Sequence, residues 1–65
     1  MKVNTNKIKL LLVENNMNQK DLAERAGISE VTLSSFMNGK NASKGSLNKL
    51  AKTLNVPVRD IVAMK

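Results

Sequence analysis

A chain of 65 residues suffices for one domain with a small core and no more. It has neither cysteine nor histidine, so disulfides, thiolate metal sites and imidazole bases are all excluded. Lys and Arg number 11 against 5 Asp and Glu, a net charge of +6, and from Val31 to Arg59 the basic residues Lys40, Lys44, Lys49, Lys52 and Arg59 meet no acid. Such a surface either attracts polyanions or keeps the chain soluble, and charge by itself does not choose. With these side chains missing and no convergent carboxylates, no catalytic residue, metal ligand, cofactor or small-molecule substrate is assigned, which argues against an enzyme. The apolar run Leu10 to Val13 is too short for a signal peptide or a membrane span. The expected location is the cytoplasm, with no membrane partner.

The apolar spacing is helical throughout, and one Phe with no Tyr or Trp argues against a sheet. Ile8, Leu11 and Leu12 predict a first helix from Thr5 to Asn15, with Asn16 suited to a left-handed turn at its end. Asn18 then caps a second helix, and Asp21 completes a box-like pair with it. Leu22, Ala23 and Ala26 form the inner stripe of that helix, and Gly27 ends it. Ser29 caps a third helix with Leu33, Phe36 and Met37 inside, and Asn38-Gly39 stops it. A polar loop from Lys40 to Lys44 leads into a fourth helix, Gly45 to Leu54, whose Leu47, Leu50, Ala51 and Leu54 share one face. Pro57 opens a short last helix carrying Val58, Ile61, Val62 and Met64. The expected fold is all-α: five short helices around one aliphatic core, a single domain over residues 1–65. Leu10, Leu12 and Val13, like Val62 and Met64, exceed what a small core needs. Exposed apolar patches mark partner surfaces, so a homodimer contact is expected, mainly through the last helix.

The segment Gln19 to Gly39 carries the function. Two helices joined by a tight turn cross closely, which wants a small residue at the crossing, here Ala23. The reversal wants a residue free to take positive φ, here Gly27. Ile28 plugs the turn into the core, while Leu33 and Phe36 hold the third helix from behind. Its outer face, Glu30, Val31, Thr32, Ser34 and Ser35, is then presented to solvent. Short side chains let a helix lie deep in the major groove.

This segment resembles the phage-repressor (Cro/Xre-type) helix-turn-helix family at Gln19, Leu22-Ala23, Gly27-Ile28-Ser29, Thr32-Leu33, Phe36 and Asn38-Gly39-Lys40. The likeness continues through Leu47, Leu50-Ala51-Lys52, Leu54 and Val56. It implies a lambda-repressor-like DNA-binding domain acting on double-stranded DNA as a transcriptional regulator. By that resemblance Gln19 clamps a phosphate with Asn18 beside it, at a helix N-terminus of the kind that favours anions. Asn38 to Lys40 match the family's second phosphate clamp, which Ser43, Lys44 and Ser46 extend. Base readout falls to Ser29, Glu30, Val31 and Thr32, with Ser34 and Ser35 behind. Glu30 can accept from a cytosine amino group, and Val31 or Thr32 can pack on a thymine methyl. An acid in the first turn also favours the helix by itself, so Glu30 has two readings. The chain departs from the family pattern at Met37, Leu12, and Ala42 with Gly45. The same resemblance implies a dimer binding half-sites ~34 Å apart on a pseudo-palindromic operator, with repression following from occupancy. A longer regulator would carry a further domain beyond residue 65. The competing reading is a protein-interaction module on the same fold, an antitoxin or antirepressor, against which the serine-rich outer face and acid-free basic half both speak.

Overall fold

The computed structural model describes residues 1–63. Among them the chain forms α1 (Thr5–Glu14), α2 (Gln19–Ala26), α3 (Glu30–Met37) and α4 (Lys44–Leu54), followed by a 3-10 turn at Val58–Asp60. Each α-helix starts on a side-chain cap, as the first unpaired amides of a helix require. Asn4 Oδ1 accepts from the Lys7 N–H at 3.1 Å. At α2 the Asp21 N–H donates to Asn18 Oδ1 at 2.8 Å, and the Asn18 N–H donates back to the Asp21 carboxylate at 3.3 Å. Ser29 Oγ accepts from the Thr32 N–H at 3.0 Å, and Ser43 Oγ from the Ser46 N–H at 3.2 Å.

The turns follow residue chemistry just as closely. Asn16 stands at φ 56° after α1, and Asn55 at φ 59° closes α4, the left-handed region that asparagine tolerates better than most residues. Gly27 sits at φ 77°, and its N–H donates to the Ala23 carbonyl at 3.0 Å. Nothing lies within 4 Å of where a Cβ would stand there, so a side chain meets open space and only backbone strain opposes it. Gly27→Ala is therefore expected to destabilise the domain by about 1–2 kcal/mol and Gly27→Asn by less, read from urea unfolding midpoints. Equal losses in the two variants would place the penalty outside the φ requirement.

The core is one aliphatic cluster. Helix α2 packs on both α3 and α4, with Ala23 and Ala26 buried and small enough to let the helices approach. Ile8, Leu22, Leu33, Leu47, Leu50 and Ile61 are fully enclosed, and Phe36 closes the underside of α3. Ile28 and Met37 are half-buried against this cluster, consistent with a plug in the turn and an edge of the α3 stripe.

Three expectations need correction. The last helix is only the single turn Val58–Asp60, because Ile61 and Val62 leave it to enter the core. Val62 is 6% exposed and forms an isolated antiparallel bridge with Val3, so it is not part of a surface patch. Leu12 is likewise buried against the core. The expected dimer contact on the last helix thus loses Val62, while Met64 lies outside the described residues. Leu10 and Val13 on α1 do remain exposed. Finally, α4 starts at Lys44 rather than Gly45, with Ser43 as its cap.

The bridge belongs to a short arm invisible in the residue pattern. The Asn4 N–H donates to the Ile61 carbonyl at 2.7 Å, and the Ala63 N–H to the Lys2 carbonyl at 2.8 Å. The Ala42 N–H donates to the Met1 carbonyl, and Val3 and Ala42 are both buried. Residues 1–4 thereby hold the end of the described chain and the middle of the α3–α4 loop at once.

Candidate nucleic-acid interface

Helix α3 shows its two sides clearly. Leu33 and Phe36 face the core, while Glu30, Val31 and Ser34 are exposed and Ser35 is half-buried. Val31 is 76% exposed, a valine held in water at the start of the helix with no core to join. Glu30, Val31, Ser34, Ser35, Asn38 and Lys40 line one open trough along this side. It is walled by short side chains, negative at the Glu30 end and positive at the Lys40 end. A double helix of base pairs can approach such a face closely, since the major groove is about 12 Å wide and admits an α-helix.

Ser29 and Thr32 do not share the trough. The Ser29 hydroxyl donates to Thr32 Oγ1 at 2.7 Å while accepting from the Thr32 N–H at 3.0 Å. The Ser29 hydroxyl is thereby engaged within the first turn of α3 and helps fix where that turn points, while Thr32 accepts there and keeps its own hydroxyl proton to donate.

Asn38 is also engaged internally. Its Nδ2 donates to the Ser34 carbonyl at 2.8 Å and reaches the Ser34 hydroxyl at 3.5 Å. Its own N–H serves the Ser34 and Ser35 carbonyls, while the N–H groups of Gly39 and Lys40 serve Phe36 and Ser35. These bonds close the end of α3 and leave few donors there for an anion. The positive charge at this corner is that of Lys40.

Two helix starts flank the trough in sequence. At α2 the first-turn amides of Gln19 and Lys20 lie outside the helix's own bonding, with Asn18 exposed and Gln19 half-buried beside them. Asp21 already sits in that turn and answers part of the local positive potential. At α4 there is no acid in the first turn. Ser43 and Ser46 share a hydroxyl bond at 3.1 Å, and the exposed Lys44 and Gly45 beside them have first-turn amides outside the helix's own bonding. Of the two helix starts, that of α4 is the more hospitable to a phosphate.

Ala42 is what the residue pattern missed. It reads as one member of a polar loop, yet it is buried and bonded to Met1 between Lys40 and Lys44. A lone Val3 in a polar leader was the only signal, and its partner lies at the other end of the chain.

Among the described residues no helix is long and apolar enough to cross a membrane. A family model described as helix-turn-helix matches residues 8–61. No curated protein and no solved structure matches the chain.

Proposed function

The chain belongs to the Cro/Xre-type helix-turn-helix family of DNA-binding regulators, and from that premise we propose that it is a transcriptional repressor acting on a pseudo-palindromic operator in the cytoplasm. The observation that carries this is the trough along α3: an exposed face of short side chains on a helix braced from behind by Leu33 and Phe36. The face enters the major groove. Glu30, Val31, Ser34 and Ser35 meet base edges there, while Ser29 and Thr32 hold the helix start that aims them.

Phosphate contacts belong to the corners: Asn18 and Gln19 at the start of α2, Lys40 after α3, and Ser43, Lys44 and Ser46 at the start of α4. Asn38 contributes by shaping the end of α3 rather than by donating to a phosphate. These groups set register and orientation, and the trough reads sequence. Residues 1–65 act as one domain, and two copies occupy half-sites ~34 Å apart. Bound across a promoter, such a pair excludes polymerase by occupancy. Leu10 and Val13, exposed on one side of α1, offer the apolar contact between copies that Val62 does not.

Titration with duplex DNA at two salt concentrations tests the reading. Binding is expected at low salt and should weaken steeply as salt rises, because each neutralised phosphate releases condensed counterions. A chain that binds no duplex at low salt would overturn the proposal and favour a protein-interaction module. Sedimentation of the free chain and of its complex checks the pairing, with two copies per operator expected.

A further inference from the structure

The trough contains a carboxylate, and a carboxylate is an odd group to bring towards a polyanion. Its ordinary explanation is helix stabilisation, since an acid in the first turn suits the dipole, while the capping hydrogen bond itself is already supplied by Ser29. Ser29 takes the Thr32 N–H, and its hydroxyl is paired with Thr32. Glu30 stands exposed beside that cap, at the mouth of the face formed with Val31, Ser34 and Ser35.

Building on the DNA-reading assignment above, we propose that Glu30 is a specificity residue acting by exclusion, admitting cytosine in the base pair it faces, with the neighbouring Val31 selecting thymine. An ionised carboxylate only accepts hydrogen bonds. In the major groove guanine presents two acceptors, N7 and O6, and thymine presents O4, so either sets lone pairs against the carboxylate. Adenine offers an amino donor beside the N7 acceptor, whereas cytosine offers its amino group alone. Cytosine is therefore the base edge that satisfies Glu30 without a facing lone pair. Val31 adds an isopropyl group with no polar atom and is 76% exposed, the complement of a thymine methyl. Consecutive positions in the first turn place these two preferences on neighbouring base pairs.

The same charge repels phosphate on every sequence. Glu30 accordingly lowers affinity for duplex in general while penalising the wrong base further, which is discrimination by a repulsive element. This separates the proposal from a helix-stabilising role, in which removing the charge leaves sequence preference untouched.

The experiment selects bound duplexes from a random library with the unaltered chain, Glu30→Gln and Val31→Ala. Affinities then follow for the selected duplex and for a scrambled one. The unaltered chain is expected to enrich a cytosine adjacent to a thymine. Glu30→Gln is expected to admit adenine at the cytosine position, and to bind the scrambled duplex about two- to tenfold more tightly. Glu30→Ala, with neither charge nor acceptor, should repeat that gain. Val31→Ala is expected to keep the cytosine and lose the thymine. Replacing that thymine by uracil, which lacks the methyl, should weaken the unaltered chain about fivefold and leave Val31→Ala unchanged.

Continued exclusion of adenine and guanine by Glu30→Gln, or no gain on the scrambled duplex with either Glu30 variant, overturns the proposal and leaves DNA reading intact. Failure of the unaltered chain to enrich any sequence overturns the DNA-reading assignment itself, and this proposal with it.

Discussion

Leu22→Ala is expected to lower the thermal midpoint by at least about 10 °C and to leave much of the chain unfolded at physiological temperature. Leu22 is completely enclosed and sits on α2, the helix that packs against both α3 and α4. Truncating a buried leucine to alanine removes about 2–5 kcal/mol, the spread depending on how far the surroundings collapse. At about 0.05–0.15 kcal/mol per residue, a domain this small has only a few kcal/mol to lose. Ala23 and Ala26 flank the site and carry no side-chain bulk to fill the void. Circular dichroism melts read the effect directly. A midpoint within a few degrees of the unaltered chain would mean that α2 is not the keystone the packing makes it.

Replacing Lys40 and Lys44 together with alanine is expected to weaken DNA binding about 10- to 100-fold at moderate salt, with the same loss on every sequence. If each lysine meets one phosphate, the slope of log affinity against log salt falls by about 0.9 per lysine removed. Lys49 and Lys52 lie further along α4 and serve as controls: alanine at either should leave the slope unchanged. Lys44 also gives a second sign to check. A cation in the first turn of a helix opposes the helix dipole, and α4 carries no acid there to offset it. Lys44→Ala should therefore leave the free domain as stable as before or slightly more so, while DNA affinity falls. If the double variant bound DNA normally with an unchanged salt slope, both phosphate assignments would be wrong.

The helix starts and turns were legible in the sequence because they are decided within three or four residues. Asn18 with Asp21, Ser29 as the cap of α3, and Gly27 in the turn are each local hydrogen-bond or φ problems with few solutions. The inner stripes of α2, α3 and α4 follow the helical period and are buried as that period requires, with Met37 half-buried at the edge of the α3 stripe. The last segment misled because Val58, Ile61 and Val62 fit a helical face equally well. What overrides that spacing is the pull of Ile61 into the core and the pairing of Val62 with Val3, a contact spanning almost the whole chain.

The candidate site was legible as a face but not as a division of labour. Ser29, Thr32 and Asn38 are polar residues near the outer surface, and nothing in their identity says whether they point to a ligand or to each other. The structure shows their hydrogen bonds turned inward on α3. The open trough is lined by Glu30, Val31, Ser34 and Ser35, with Asn38 and Lys40 at its far end.

The arm that ties Val3 to Val62 also sets an order in time. Contacts among α2, α3 and α4 join segments close in sequence, whereas the arm closes a loop of nearly the full chain, and closure entropy grows with loop length. It is expected to dock last during folding and to release first during native fluctuations. Because Met1 holds the Ala42 amide in the same arm, each release also frees the loop between Lys40 and Lys44. Hydrogen exchange should therefore show the amides of Asn4, Ala42 and Ala63 opening together, faster than those buried along α2. The corner that carries Lys40 and Lys44 would thus loosen and tighten on the rhythm of the chain's own ends.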